Sequence, residues 1–282
     1  MSGKDQYAVI GNPVKHSKSP WIHAKFAEQT GEPIEYGRIL GPLNGFADTV
    51  KAFIVSGGRG MNVTVPFKLE AHALATSLLP RVAAAGAVNT LSFDTDGIRG
   101  DNTDGVGLVR DIEANLGVSL KGARVLLLGA GGAARGVVLP IFDRAPAELA
   151  IVNRTVAKAH QLVDQFAQTA SEKGVKFAGG DASSVERGQY DVVINATAGS
   201  LDAALPDCDD GAFGAGTLAY DMMYSAKPTV FMQHASALGA RTADGLGMLV
   251  EQAAESFFIW RGVRPDGGAA RRELRDILAV KA

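Results

Sequence analysis

The chain has one cysteine, Cys208, among 282 residues, which excludes an intramolecular disulfide framework and a thiolate metal cluster. It has no excess of either charge. With 28 basic against 30 acidic residues the net charge is −2, so neither nucleic acid nor an anionic membrane is an expected partner. No segment approaches the ~20 apolar residues of a membrane span, and Met1 to Gln6 lacks the apolar run of a signal peptide. A cytoplasmic location is expected. His16 and His23 have no carboxylate or thiolate cluster beside them, so no metal is assigned. No internal repeat or low-complexity tract stands out. What is present, 46% hydrophobic and 21% charged residues, suits one large or two ordinary globular domains with small-molecule partners.

The most informative stretch is Val125 to Arg135. Four consecutive aliphatic residues, Val125 to Leu128, suit a parallel strand covered on both faces. They run into Gly129-Ala130-Gly131-Gly132-Ala133-Ala134, the dinucleotide fingerprint in its alanine-ended form. Gly129 allows the tight turn, Gly131 lets backbone approach a pyrophosphate, and Ala134 lets helix and strand pack closely. The free N–H groups of the helix start supply positive potential. A second strand, Leu149 to Val152, follows one helix length later, as a βαβ unit requires. An NAD site usually places a carboxylate at the end of that strand. Here stand Asn153, Arg154 and Thr155, with Lys158 one helical turn on. Cations near a helix N-terminus oppose the macrodipole, so this pair points to an anion between them. The predicted cofactor is NADP, with Thr155 able both to cap the next helix and to donate a hydrogen bond. Thr197 ends a further central strand, Tyr190 to Thr197, where a switch-point ligand would lie.

The N-terminal part alternates strands and helices: strands at Tyr7–Gly11, Ile34–Leu40 and Met61–Pro66, helices at Trp21–Gln29 and Phe46–Val55. The loop Asn12 to Pro20 places Ser17 and Ser19 just before a helix, a natural carboxylate site. Period-two alternation puts Asn62 and Thr64 on one strand face and Val63 and Val65 on the other. Lys68 falls in the first turn of a helix begun by Pro66-Phe67, where the dipole disfavours a cation and a functional lysine is the better reading. A strand at Ala87–Leu91 leads to a turn at Asp94–Gly97. Asp101 to Asp104 then carry more hydrogen-bonding side chains than the cap of the following helix, Val106–Asn115, needs. Downstream, strands are expected near Val175–Phe177 and Leu218–Tyr224, and helices at Thr155–Glu172, Pro228–Leu238, up to Trp260, and Ala270–Leu278.

Taken together these stretches resemble the shikimate dehydrogenase family. The carriers are Gly11-Asn12-Pro13 with His16-Ser17-Lys18-Ser19-Pro20, Asn62 to Lys68, Gly86 to Thr90, Gly100 to Gly105, Gly129 to Ala134, Asn153-Arg154-Thr155 and Ala243 to Leu249. The resemblance implies an α/β protein with an N-terminal α/β substrate domain, residues 1–104 completed by C-terminal helices 245–282. Its partner is a Rossmann-type doubly wound parallel-sheet NADP domain, residues 105–244. It implies NADPH-dependent reduction of 3-dehydroshikimate to shikimate, a step of aromatic amino-acid biosynthesis. Ser17, Ser19 and Tyr224 would hold the substrate carboxylate, Asn62, Thr64, Asn89 and Gln252 the ring hydroxyls, and Lys68 with Asp104 would form the catalytic pair. Met222 and Gly245 would be further cofactor contacts, which only the resemblance implies. Three positions depart from the family pattern: Lys158 in place of the commoner arginine, Pro80 in place of an acid, and the run Ala198 to Leu201. Competing readings are a paralogue acting on quinate or an aminoshikimate-type substrate, and a non-catalytic NADP-binding regulator. A monomer or a homodimer suits the same residues.

Overall fold

The computed structural model describes residues 3–197, 199 and 204–280. The chain divides into two compact units, Met1–Gly107 with Val250–Arg272, and Leu108–Leu249 with Glu273–Ala282.

The first unit is built on β1 (Asp5–Gly11), β2 (Ile34–Leu40), β3 (Gly58–Val63), β4 (Ser77–Leu78), β5 (Thr90–Asp94) and β6 (Gly97–Asp101). Its helices are α1 (Ser19–Thr30), α2 (Phe46–Val55), α3 (Lys68–Leu74), α4 (Pro80–Ala85) and the start of α5 (Asp104–Arg110). The sheet runs β2-β1-β3-β5-β6-β4. β1 pairs parallel with β2 and β3, whereas β5 runs antiparallel to both β3 and β6. The reversal is local: a two-residue turn joins β5 to β6, with Gly97 at φ +128 and the Asp96 N–H donating to the Asp94 carboxylate at 3.0 Å.

The second unit contains β7 (Arg124–Leu128), β8 (Glu148–Val152), β9 (Lys176–Gly180), β10 (Val192–Asn195), β11 (Leu218–Asp221) and β12 (Arg241–Asp244). Its helices include α6 (Gly132–Phe142), α7 (Val156–Glu172) and α8 (Val230–Ala237); α9 (Leu246–Arg261) and α10 (Gly267–Ala279) follow along the chain. All six strands are parallel, in the order β12-β11-β10-β7-β8-β9. Counted from β7 as strand one, this is the 3-2-1-4-5-6 order of the dinucleotide-binding fold. The near-unbroken burial of β7, β8 and β10 matches their aliphatic runs, since both faces of such a sheet are covered.

Several expectations need correction. β4, α4, β6 and β12 were not anticipated, because two to six residues with little apolar periodicity carry almost no local signal. The strand expected over 61–66 ends at Val63. Val63 is buried, but Val65 is 63% exposed, so the two valines do not share an environment. Pro66 has no N–H to offer a ladder, and the chain turns there. The helix expected at Val106–Asn115 begins at Asp104, and its last five residues form a wider π-turn in which the Leu116 N–H donates to the Asp111 carbonyl.

His23 in α1 has no exposed surface. Its ring stacks on Tyr36 at 4.2 Å between centroids and contacts Phe26, Phe257 and Trp260. Burial pushes its pKa from 6.5 down to about 3. The unfolded chain therefore binds a proton below pH 6.5 that the folded chain refuses until about pH 3, and the stability this neutral ring contributes is lost as pH falls through that window. His23→Phe, which keeps the stack, should gain on the wild type by up to about 1.4 kcal/mol per pH unit below 6.5. Urea unfolding of both proteins at pH 7.5 and 5.0 measures this; an unchanged gap would contradict a neutral buried ring.

Candidate active site

In the first unit, the side chain that organises the others is Asn89, 3% exposed and immediately before β5. Its backbone joins two strands: the Val63 N–H donates to its carbonyl at 2.8 Å, and its own N–H donates to Asp101 at 3.0 Å. Its amide then reaches the Asp104 carboxylate at 2.8 Å and the Thr103 hydroxyl at 3.0 Å, while its Oδ1 accepts the Thr103 N–H at 2.9 Å. The second oxygen of Asp104 accepts from Lys68 Nζ at 2.6 Å, with both side chains partly buried.

Lys68 opens α3, and its place is set by its neighbours. Phe67 is fully buried, its ring 5.2 Å from that of Phe46, and the Val88 N–H donates to the Lys68 carbonyl at 3.0 Å. Burying such a ring contributes roughly 1.5–3 kcal/mol, enough to hold the helix start in one position. The result is a cation paired with an oriented carboxylate, a charge-assisted contact suited to delivering or withdrawing a proton.

The polar density at Asp101 to Asp104 now has its explanation. The Asp101 carboxylate accepts from Arg81 Nε at 2.6 Å, Asn102 donates to the Ala87 carbonyl at 2.9 Å, and Thr103 and Asp104 serve Asn89 and Lys68. Asn62, 6% exposed, donates through Nδ2 to Asn89 O, Thr90 Oγ1 and Ser256 Oγ at 3.0–3.2 Å, and its Oδ1 accepts from the Tyr36 hydroxyl at 2.6 Å. Gln252 on α9 turns Oε1 toward Asn89 Nδ2 and the Thr103 hydroxyl, at 3.5 and 3.4 Å. Thr64 lies just beyond β3, partly exposed, its N–H donating to Ile10 O at 3.0 Å. Ser17 and Ser19 stand with their hydroxyl oxygens 3.2 Å apart at the start of α1, and Arg38 donates to the Ser17 carbonyl at 2.7 Å. Of the residues expected to meet substrate, Tyr224 alone belongs to the second unit, where burial, then the nearby Asp244 charge, raise its pKa. Tyr36, Thr103 and Ser256 were not anticipated. Thr103 was signalled by the polar run it sits in, and Ser256 by its four-residue spacing from Gln252; Tyr36, in a half-exposed strand, had no signal.

In the second unit a cavity of about 610 Å³ is lined by the glycine turn, the end of β8 and the start of α7. Gly129 sits at φ +109, a conformation that favours glycine, and its N–H donates to Val152 O at 2.7 Å. Among the described residues, nothing beyond the adjoining backbone stands within 4 Å of where a Cβ on Gly131 or Gly132 would point, and Ala130 and Ala133 line the same space. Asn153 Oδ1 accepts the Ala130 N–H at 3.1 Å, tying the turn to the neighbouring strand. Arg154 and Lys158 are exposed on the cavity rim with no ion-pair partner among the described residues. Thr155 occupies the N-cap position of α7, but its side chain makes no capping bond, contrary to expectation. Thr197 lines the same cavity, its hydroxyl donating to Asn195 at 2.7 Å. The Gly245 N–H donates to Met223 O at 3.0 Å, and a Cβ there would meet Met222 O at 2.1 Å, so the segments bearing Met222 and Gly245 meet backbone to backbone. Of the departing run Ala198 to Leu201, only Gly199 is among the described residues. No helix among the described residues is long and apolar enough to cross a membrane.

A parallel 3-2-1-4-5-6 sheet, an open glycine turn and two exposed cations beyond its second strand define a dinucleotide-binding α/β protein, and the other unit supplies a lysine–aspartate pair. Residues 9–91 match the shikimate dehydrogenase substrate binding domain, 111–203 the shikimate / quinate 5-dehydrogenase domain and 245–275 the shikimate 5'-dehydrogenase C-terminal domain. The chain is 55% identical to the shikimate dehydrogenase (NADP(+)) of Cupriavidus pinatubonensis, over 98% of this chain and 96% of that one. Among solved structures, the Ael1 enzyme from Pseudomonas putida is similar at TM-score 0.91 and 46% identity, covering 96% of this chain and 98% of that one. The shikimate 5-dehydrogenase of Thermus thermophilus, solved with NADP(H) and shikimate, is similar at TM-score 0.83 and 30% identity, covering 97% and 100%. The chain belongs to the shikimate dehydrogenase family.

The two rim cations generate a specific expectation. Arg154→Ala and Lys158→Ala should each weaken binding of NADP by about tenfold and leave NAD binding within twofold, because a charge-assisted contact to phosphate contributes roughly 1.5–3 kcal/mol before solvent screening. Fluorescence titration with both dinucleotides measures it. Equal losses for NAD and NADP would mean the cations do not read the 2′-phosphate.

Proposed function

We propose that the protein catalyses the reversible NADPH-dependent reduction of 3-dehydroshikimate to shikimate, in the cytoplasm. The observation that carries this reading is the Lys68–Asp104 pair, 2.6 Å apart, with the free edge of the carboxylate held by Asn89. Reducing a ring ketone requires a proton at the oxygen as alkoxide charge forms. The Lys68 ammonium supplies it, and its charge stabilises the developing oxyanion. Asp104 orients Lys68 and accepts a neighbouring substrate hydroxyl.

Asn62, Thr64, Asn89 and Gln252 bind the ring hydroxyls. Neutral amides and hydroxyls suit a polyol, because a buried polar group left without its partner costs about 1–3 kcal/mol and so rejects a substrate lacking that hydroxyl. Ser17, Ser19 and Tyr224 hold the substrate carboxylate, Tyr224 as a neutral phenol whose raised pKa keeps its donor proton.

The cavity of the second unit fits NADP. The open space at Gly131 and Gly132 admits a pyrophosphate against the α6 N-terminus, and Asn153, Arg154, Thr155 and Lys158 surround the position of an adenine-ribose phosphate. Thr197, Met222 and Gly245 hold the nicotinamide end. When bound, NADPH supplies the hydride. The relatives support both assignments, since the Cupriavidus protein is a shikimate dehydrogenase (NADP(+)) and the Thermus protein was solved with NADP(H) and shikimate.

Initial rates with shikimate and quinate, each with NADP and NAD, test the reading: turnover should be fastest with shikimate and NADP. Activity dominated by quinate or by NAD would overturn the assignment. Lys68→Met should lower kcat by about 10²–10⁴-fold while NADP affinity stays within twofold, the range expected for loss of a positioned proton donor. A variant retaining wild-type kcat would remove Lys68 from the chemistry.

A further inference from the structure

The hydroxyl of Ser256 on α9 has no exposed surface and touches four polar groups: it accepts from Asn62 Nδ2 at 3.0 Å, shares its one proton between Thr90 Oγ1 at 2.8 Å and Gln252 O at 3.0 Å, and lies 3.3 Å from Thr103 Oγ1. Proton counting limits what these groups can do. Asn62 has two amide hydrogens and three protein acceptors for them, Asn89 O, Thr90 Oγ1 and Ser256 Oγ. The Thr90 hydroxyl proton goes to Asn89 Oδ1 at 2.9 Å, so Thr90 meets Asn62 as an acceptor. The Asn62 donors are therefore engaged inside the protein. Its Oδ1 has two lone pairs, one of them taken by the Tyr36 hydroxyl.

We propose that Ser256 is a positioning residue for substrate recognition: with Thr90 it holds the Asn62 amide hydrogens inward, so that Asn62 presents only an acceptor and selects a substrate hydroxyl over a carbonyl or ether at that place. This rests on the substrate reading proposed above. Ser256 touches no substrate and acts through Asn62. Its position one helical turn from Gln252 places both on the same face of α9, so one helix turn sets both amides.

Two variants of the full chain separate hydrogen bonding from space filling. Ser256→Ala removes the hydroxyl, and Ser256→Cys fills the same volume with a weak donor and acceptor. Both should raise KM for shikimate by about 3- to 10-fold, the loss expected for one hydrogen bond, with kcat and the Kd for NADP within twofold of wild type. An unchanged KM in Ser256→Ala, or a wild-type KM in Ser256→Cys, overturns the proposal; the cysteine variant alone decides it if the alanine variant does not fold. A wild type that turns over no shikimate removes the substrate reading separately. Hydrogen exchange of the Asn62 side-chain amide in 15N-labelled protein then decides the clamp. Exchange roughly tenfold faster in Ser256→Ala supports it, and equal exchange rules it out.

Discussion

A buried carboxamide that must satisfy every one of its hydrogen-bonding atoms is the constraint on which the first unit depends. Asn89 bridges β3 and β6 through its backbone and holds Thr103 and Asp104 through its side chain. Because the amide is 3% exposed, leaving any of these atoms unpaired would cost about 1–3 kcal/mol, so the strands, the turn before α5 and the carboxylate of the reacting pair are set together. Asp104 is thereby held on one oxygen and offers the other to Lys68. Lys68, in turn, is delivered by a short helix whose start is pinned by the buried ring of Phe67. The chemistry of the site is inherited from the sheet's own hydrogen bonds.

The second unit solves a different problem. A parallel sheet whose central strands are buried on both faces offers a ligand the ends of those strands, and the chain leaves β7 at Gly129 because the turn needs φ +109. Of the residues expected to contact the nucleotide, those at the α6 N-terminus, at the end of β8 with Asn153, and Thr197 just beyond β10 line the cavity at that edge, whereas Met222 and Gly245 do not. Arg154 and Lys158 stand at the rim without acidic partners among the described residues, an arrangement that α7 tolerates at its own N-terminus at some electrostatic cost.

Legibility differed between the two units for a physical reason. In the second, strand, turn and helix follow one another in sequence, so Val125 to Ala134 and Leu149 to Lys158 could be read almost as they fold; the capping role of Thr155 failed, because N-cap preference is a local tendency that the side chain here does not take up, and the four-residue β12 went unread. In the first, Lys68 could be singled out by its unusual first-turn position and Asp104 by the polar run it ends, but nothing local tied them to Asn89. β2 (Ile34–Leu40) and α2 (Phe46–Val55) have the bounds their apolar patterns suggest, whereas β4, α4 and β6 are too short to carry a pattern and are held by partners distant in sequence. Val65 shows the limit of period-two reasoning: the alternation is real up to Val63, and a proline decides where it stops.

Sequence alone determined the classes of interaction: a glycine turn for a pyrophosphate, cations in place of a carboxylate beyond β8, paired serines before a helix, a lysine in a first-turn position, and a polar run ending in an aspartate ahead of the next helix. Those properties reside in single residues and their immediate neighbours, so they survive without coordinates. Tertiary structure decided which polar groups are mutually engaged. That Tyr36, Thr90, Thr103 and Ser256 converge on two asparagines separated by 27 residues depends on which strands pair and on where α9 packs. Such convergence is set by long-range burial, where each donor must find an acceptor among residues the local sequence does not name.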